Sequence, residues 1–87
     1  MIVWHKNSKI NSETQRLGRL YIYMGNIISE LRRRKKLSKK ALAHNLNVDA
    51  GTIDKWENGA NIRMENVVAL AEYFGVSTDD ILGTRKH

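Results

Sequence analysis

Apolar residues recur at helical spacing in short blocks from Met24 onward, and the chain contains no proline. Ile27, Ile28 and Leu31 are spaced as the apolar stripe of a first helix over about residues 25–35. Blocks of this kind, separated by short polar segments, are typical of packed helices with tight connections. The pattern therefore predicts an all-α domain.

Residues that suit helix ends divide the remaining chain into four further helices. Helix starts are predicted at Ser38, Asp49 and Ser77, and helix ends at Gly59 and Gly75. Ser77 opens the sequence Ser-Thr-Asp-Asp, which matches a capping box with Asp in place of Glu. A turn is predicted at residues 47–48, between the second and third helices. Five short helices are therefore expected.

Residues 11–23 allow two assignments. Leu17, Leu20 and Met24 continue the stripe of the first helix backwards, although the glycines at positions 18 and 25 weaken a helix there. Alternatively, residues 20–23 form a short strand, because Leu-Tyr-Ile-Tyr combines β-branched and aromatic residues. We expect residues 1–23 to be an N-terminal extension, a partly flexible arm with some helix. A domain is expected over residues 24–83 and a C-terminal tail over residues 84–87.

The composition limits the kind of protein. A chain of 87 residues with 41% apolar content suffices for one small domain. It has no cysteine, so we expect neither a disulfide nor a thiolate metal site, which suits a reducing cytoplasm. No apolar stretch approaches the roughly 20 residues that span a bilayer, and the N-terminus lacks the apolar run of a signal peptide. The composition favours a soluble cytoplasmic protein without a membrane partner.

Charge is distributed unevenly along the chain. The 15 Lys and Arg residues exceed the nine Asp and Glu residues, and the formal net charge is +6. Seven of the bases lie between Arg32 and Lys40 without an acid, whereas residues 41–84 contain two bases and seven acids. Such a run is either a solvated helix face or a phosphate-binding patch. The charge therefore suggests a polyanionic partner without identifying it.

Residues 37–59 combine two short helices across a brief turn, an arrangement in which one helix braces another against a DNA groove. The segment reads LSKKALAHNLNVDAGTIDKWENG, and residues 70–77 read LAEYFGVS. Over about residues 24–83, the chain resembles the helix-turn-helix family of phage repressors, Cro proteins and Xre-like regulators. The most specific feature is the ending Lys-Trp-Glu-Asn-Gly and its distance from Leu-Ser. The resemblance implies a five-helix repressor-like DNA-binding domain, preceded by the N-terminal extension.

The resemblance also implies that the first residues of the third helix read base edges in the major groove. At the matching positions stand Asp49, Ala50, Gly51 and, one turn further, Lys55. Lys55 is the one strong reader, since its ammonium group suits O6 and N7 of guanine. Ala50 offers only a methyl group, Gly51 offers no side chain, and Asp49 suits a helix cap better than it suits cytosine. Asp54 is expected to be repelled by any phosphate.

Phosphate contacts are expected mainly at the start of the second helix. The hydroxyl of Ser38, the ammonium group of Lys39 and the first amides of the helix can all face a phosphate oxygen. The family usually has Gln at the position of Lys39, so lysine adds charge and salt sensitivity rather than sequence information. Secondary candidates are Thr52, Asn58 and Arg63, of which Arg63 stands where the family often has a capping Ser.

Part of the basic run has a structural role by the same resemblance. Arg32 matches a family arginine that pairs with the glutamate of the Glu-Asn-Gly segment, which is Glu57 in this chain. We expect a partly buried ion pair that holds the first helix to the third. Lys36 replaces a glycine that commonly ends the first helix in the family, which suggests a longer or strained corner.

Other chemistries find little support in the sequence. His5, His44 and His87 share no metal-ligand spacing. The adjacent carboxylates Asp79 and Asp80 suit a helix start better than acid–base catalysis. No catalytic, metal, cofactor or small-molecule site is predicted, and the protein is not expected to be an enzyme.

The resemblance favours a sequence-specific regulator of transcription, a repressor, that binds double-stranded DNA as a homodimer. We expect the dimer contact at the last helix, around Ile81 and Leu82. The alternative is a protein-interaction module, such as an antitoxin or an assembly factor. This alternative stays open because the third helix exposes few residues that can donate hydrogen bonds to bases.

Overall fold

The computed structural model describes the backbone of residues 2–83 and the side chains of residues 15–83. Its helices follow in the order α1 (Ile2–Arg34), α2 (Lys39–Leu46), α3 (Ala50–Glu57), α4 (Met64–Phe74) and α5 (Thr78–Leu82). No strand occurs in the part of the chain that is described. The prediction of an all-α fold with five helices is confirmed. The tail predicted at residues 84–87 lies outside the described residues.

The first helix is much longer than expected. It begins at Ile2 rather than near residue 25, so the strand alternative for residues 20–23 is wrong and the continuous helix is right. Met24 and Ile28 are buried in the core, and this burial outweighs the weak helix propensity of the glycines. Leu17 is 53% exposed, so the apolar stripe reaches the core only from Leu20 onward.

Gly25 allows α1 to lie directly against the end of α3. A Cβ atom at this position would lie 2.4 Å from the carbonyl oxygen of Trp56 and 3.0 Å from that of Glu57. The two helix backbones therefore approach more closely than any side chain would permit. This close contact offsets the helix propensity of about 1 kcal/mol that a glycine costs.

One core lies where the helices meet. Every helix contributes to the side chains that are at most 1% exposed: Met24, Ile28, Leu42, Ile53, Val67, Leu70 and Ile81. Ile81 is thus used within one chain and is not available for the dimer contact expected at the last helix. Leu82 is half-buried against the same core. The exposed large apolar residues of the helical unit after α1 are Met64 and Val68 on α4.

The helix starts follow the predicted caps with one exception. The hydroxyl of Ser38 accepts from the helix at 3.0 Å, and Ser77 forms a full capping box with Asp80. Asp49 occupies the N-cap position of α3, but its carboxylate accepts no hydrogen bond from the helix. The amide of Thr52, which such a cap would bind, instead donates to the backbone carbonyl of Asp49 at 2.9 Å. The expected capping role of the Asp49 side chain is therefore wrong.

Three helix ends show how the chain reverses direction. Gly59, with φ 97°, closes α3, because its amide donates to the carbonyl of Trp56 at 3.1 Å. Asn47 after α2 and Lys36 after α1 also have positive φ, at 61° and 57°. Asn tolerates this conformation better than most residues, whereas lysine has no side-chain feature that favours it. The strained corner expected at Lys36 is present.

Candidate nucleic-acid interface

The pair formed by α2 and α3 is held together by its inner faces. Leu42 and Ala43 of α2 are buried, as are Ile53 and Trp56 of α3. The left-handed Asn47 ends α2 and lets the chain turn into α3 within a few residues. Because both inner faces are apolar and packed, the outer face of α3 is fixed relative to the start of α2.

The outer face of α3 carries exposed residues at helical spacing. We call Gly51, Asp54, Lys55 and Asn58 the outer stripe, since all four are exposed and recur at intervals of three and four residues. Of the predicted base readers, the structure places Gly51 and Lys55 in this stripe and leaves Asp49 exposed just before it. Ala50, by contrast, is half-buried and packs against the core.

Ser38 and Lys39 lie at the start of α2. The Ser38 oxygen accepts from the amide of Ala41 at 3.0 Å, which leaves its hydroxyl hydrogen free to donate elsewhere. Nζ of Lys39 lies 2.5 Å from Oδ1 of Asp54, and the two side chains are 41% and 53% exposed. The hydrogen bond from Lys39 and its positive charge lower the pKa of Asp54 below the usual value for aspartate.

The pairing between Lys39 and Asp54 was not predicted from the sequence, from which Asp54 was expected only to be repelled by phosphate. Fifteen positions separate the two residues, and only the crossing of α2 and α3 brings them together. The available signal was their opposite charge, with one residue at the start of α2 and the other on the outer stripe. The cation expected to face phosphate is therefore engaged by an acid in the protein.

Arg32 and Glu57 form a bidentate ion pair between α1 and α3. Nε of Arg32 donates to Oε2 at 2.6 Å, and Nη2 donates to Oε1 at 3.1 Å. Nη1 donates to the backbone carbonyl of Leu37 at 2.8 Å, so one guanidinium group also holds the corner before α2. The side chains are only 12% and 7% exposed. The hydrogen bond to Glu57 is the main cause of a raised pKa for Arg32.

The secondary phosphate candidates lie at separate places. Thr52 is half-buried in the first turn of α3. The side-chain amide of Asn58 donates to the backbone carbonyl of Asp54 at 2.8 Å, at the end of the outer stripe. Arg63 is exposed and holds the N-cap position of α4 without a side-chain capping bond.

Four further bases of the run, at positions 33–36, are exposed at or just after the end of α1, and Lys40 is exposed on α2. Arg34 pairs with Glu30 one turn earlier in the helix. Nζ of Lys35 lies 5.5 Å from the ring centre of Tyr73, within the range of a cation–π contact. Part of this run is therefore committed to contacts within the chain. The spacing of Glu30 and Arg34 in the sequence is that of a helical ion pair, whereas the contact with Tyr73 requires the fold.

The described side chains offer no group of three His, Asp or Glu residues that could hold a metal ion. Within the same part of the chain, no helix combines the length and the apolar character of a membrane span.

Comparison with known protein families shows to which family the chain belongs. Residues 28–81 match the helix-turn-helix family, and they extend from the last two turns of α1 into α5. Because this match covers more than half of the chain, the protein belongs to the Xre/Cro-like helix-turn-helix family. It is a DNA-binding regulator of that class, and the class is typically non-enzymatic. No curated protein and no solved structure shows a significant match.

Proposed function

We propose that the protein binds a specific double-stranded DNA site and regulates transcription, as a repressor, by inserting α3 into the major groove. The observation that carries the proposal is the outer stripe of α3, which faces away from a core anchored by Ile53 and Trp56. A major groove about 12 Å wide admits one α-helix. An exposed helix face held rigidly from behind is suited to this groove.

Lys55 is the residue we assign to direct base reading. Its ammonium group is exposed in the middle of the outer stripe and suits O6 and N7 of guanine. Asp49, Ala50 and Gly51 contribute little hydrogen-bonding chemistry, but their small or short side chains let the helix backbone come near the bases. The remaining specificity then comes from DNA shape and deformability.

The phosphate contacts are assigned to residues around the outer stripe. Ser38 has a hydroxyl hydrogen to donate, and Lys39 supplies positive charge at the start of α2. Thr52, Asn58 and Arg63 are the remaining candidates, at the start and end of α3 and at the start of α4. These contacts set the position of the protein on the duplex and the salt dependence of binding.

A homodimer is the form in which we expect the protein to act. One short helix reads only a few base pairs, and two copies double the site at a half-site spacing of about one helical turn. Sedimentation of the protein with and without its duplex measures the number of copies bound. The DNA-containing compartment, which is the cytoplasm in a cell without a nucleus, is where such a regulator works.

Selection of bound sequences from random duplexes tests the proposal. It should recover a short palindrome, and Lys55→Met should change the recovered bases within each half-site. Lys40→Met is the matched control, because it removes the same charge from an exposed position of α2 outside the outer stripe. It should leave the recovered bases unchanged. Equal recovery of all sequences by the unaltered protein would contradict specific binding.

A protein-interaction module, such as an antitoxin or an assembly factor, is the second candidate function. The observation in its favour is that the outer stripe and the residue before α3 expose two carboxylates, Asp54 and Asp49, beside a single lysine, Lys55. This mixture suits a protein partner as well as it suits DNA. If no duplex is bound above the level expected from charge alone, this second function replaces the first.

A further inference from the structure

The ion pair between Lys39 and Asp54 joins the expected phosphate contact to the expected reading surface. Lys39 is the first residue of α2, and Asp54 lies in the outer stripe beside Lys55. Nζ and Oδ1 are 2.5 Å apart, and both side chains remain accessible to solvent. A DNA phosphate that approaches Lys39 therefore meets a carboxylate already bound to it.

This ion pair has little to do with holding the two helices together. Exposed ion pairs contribute little to stability, and the helices are already joined through Leu42, Ile53 and Trp56 in the core. Its electrostatic effect on an incoming polyanion is larger than its structural one. An ammonium group has three donors, but adding a phosphate oxygen brings two anions together around it.

We propose that Asp54 is a specificity-determining residue that competes with DNA phosphate for Lys39. The proposal rests on the proposed DNA-binding function. On an arbitrary duplex, where the protein is held by backbone charge alone, Asp54 weakens binding because it neutralises the cation and repels the phosphates. At the correct site, Lys39 moves to a phosphate and Asp54 accepts from the amino group of a cytosine in the major groove.

Asp54→Asn is the informative variant, because it keeps the size of the side chain and removes the charge. Its affinity for a random-sequence duplex should rise about threefold to tenfold, since an exposed opposing charge is lost near a phosphate contact. The plot of log affinity against log salt should steepen by up to about one unit. The ratio of affinities for the selected site and the random duplex should fall. Fluorescence anisotropy over about 50–200 mM salt measures all three.

Two further variants isolate the mechanism. Lys39→Met removes the partner of Asp54. Adding Asp54→Asn to Lys39→Met should therefore raise the affinity for a random-sequence duplex much less than Asp54→Asn does in the otherwise unaltered protein. Glu30→Gln makes the same change in net charge at another exposed acid that is paired within one helix. It should tighten binding far less than Asp54→Asn does. Thermal unfolding should be nearly the same for all variants.

The possible results separate this inference from the proposed function. The inference is overturned if Asp54→Asn leaves non-specific binding unchanged, or if Glu30→Gln tightens it equally, while the unaltered protein still selects a site. In that case the proposed function stands. If the unaltered protein, Lys39→Met and Asp54→Asn all fail to bind any duplex, both fail together.

Discussion

Replacement of Glu57 by glutamine should destabilise the domain strongly, because it leaves the buried positive charge of Arg32 without a counter-charge. Three donors of Arg32 are engaged, two with Glu57 and one with the carbonyl of Leu37. Glutamine keeps the shape of the side chain, but it carries no charge and presents an NH2 group where the second carboxylate oxygen lay. The guanidinium group then remains buried without a counter-charge.

The expected magnitude follows from burial. With side chains that are 12% and 7% exposed, the pair is only weakly screened by water, and removing one partner of such a pair costs about 3–5 kcal/mol. We expect Glu57→Gln at the lower end, about 3 kcal/mol, since the amide oxygen can still accept one hydrogen bond. For a domain of this size, that corresponds to a fall in Tm of roughly 12–24 °C.

A double-mutant cycle, followed by circular dichroism in urea, separates the ion pair from simple loss of packing. Arg32→Met keeps the apolar stem of the side chain, and Glu57→Leu fills the facing position. The double variant should be clearly more stable than the sum of the two single losses predicts, with a coupling of about 2 kcal/mol or more. Losses below about 1 kcal/mol in both single variants would show that the pair behaves as an exposed one and would refute the reasoning.

Three further outcomes are expected. Gly25→Ala should lower stability by about 1–3 kcal/mol in urea unfolding, because its methyl group overlaps the backbone of α3. Gly18→Ala, a control in the same helix with no atom within 4 Å of the added Cβ, should instead raise stability by about 0.5–1 kcal/mol; a loss in both would reject the explanation. Lys36→Gly should raise stability by about 1 kcal/mol, because glycine adopts the left-handed backbone conformation without the strain that lysine has there. An unchanged free energy of unfolding would contradict that strain. In an NMR titration, the pKa of Asp54 should lie below that of ordinary aspartate and rise in Lys39→Met; equal values would mean that the ion pair does not persist in solution.

Helix ends were predictable wherever a local signal decides them. Ser77 and Asp80 lie three residues apart and complete each other's hydrogen bonds within one turn, so the sequence alone contains the information. Ser38 and the turn at residues 47–48 are similar cases. Asp49 shows the limit of this reasoning, because a residue type suited to a cap does not cap when a backbone carbonyl satisfies the same amide.

The features that were missed depend on contacts between distant parts of the chain. From the sequence alone, Gly25 predicts a weakened helix. Its role in the close contact between α1 and α3 follows only from the fold, which brings the carbonyl of Trp56 against it. The pairing of Lys39 with Asp54 requires the crossing of α2 over α3. Likewise, Ile81 looks suitable for a subunit contact until α5 packs it into the core of one chain.

Chemical protection of guanine in the major groove tests the central claim most directly. With the selected duplex bound, N7 of a guanine in each half-site should be shielded from methylation, because Lys55 and α3 occupy the groove there. The Lys55→Met variant should lose this protection at that guanine, while Lys40→Met should retain it. Protection confined to the minor groove, or none at any guanine of a tightly bound site, would contradict insertion of α3 into the major groove.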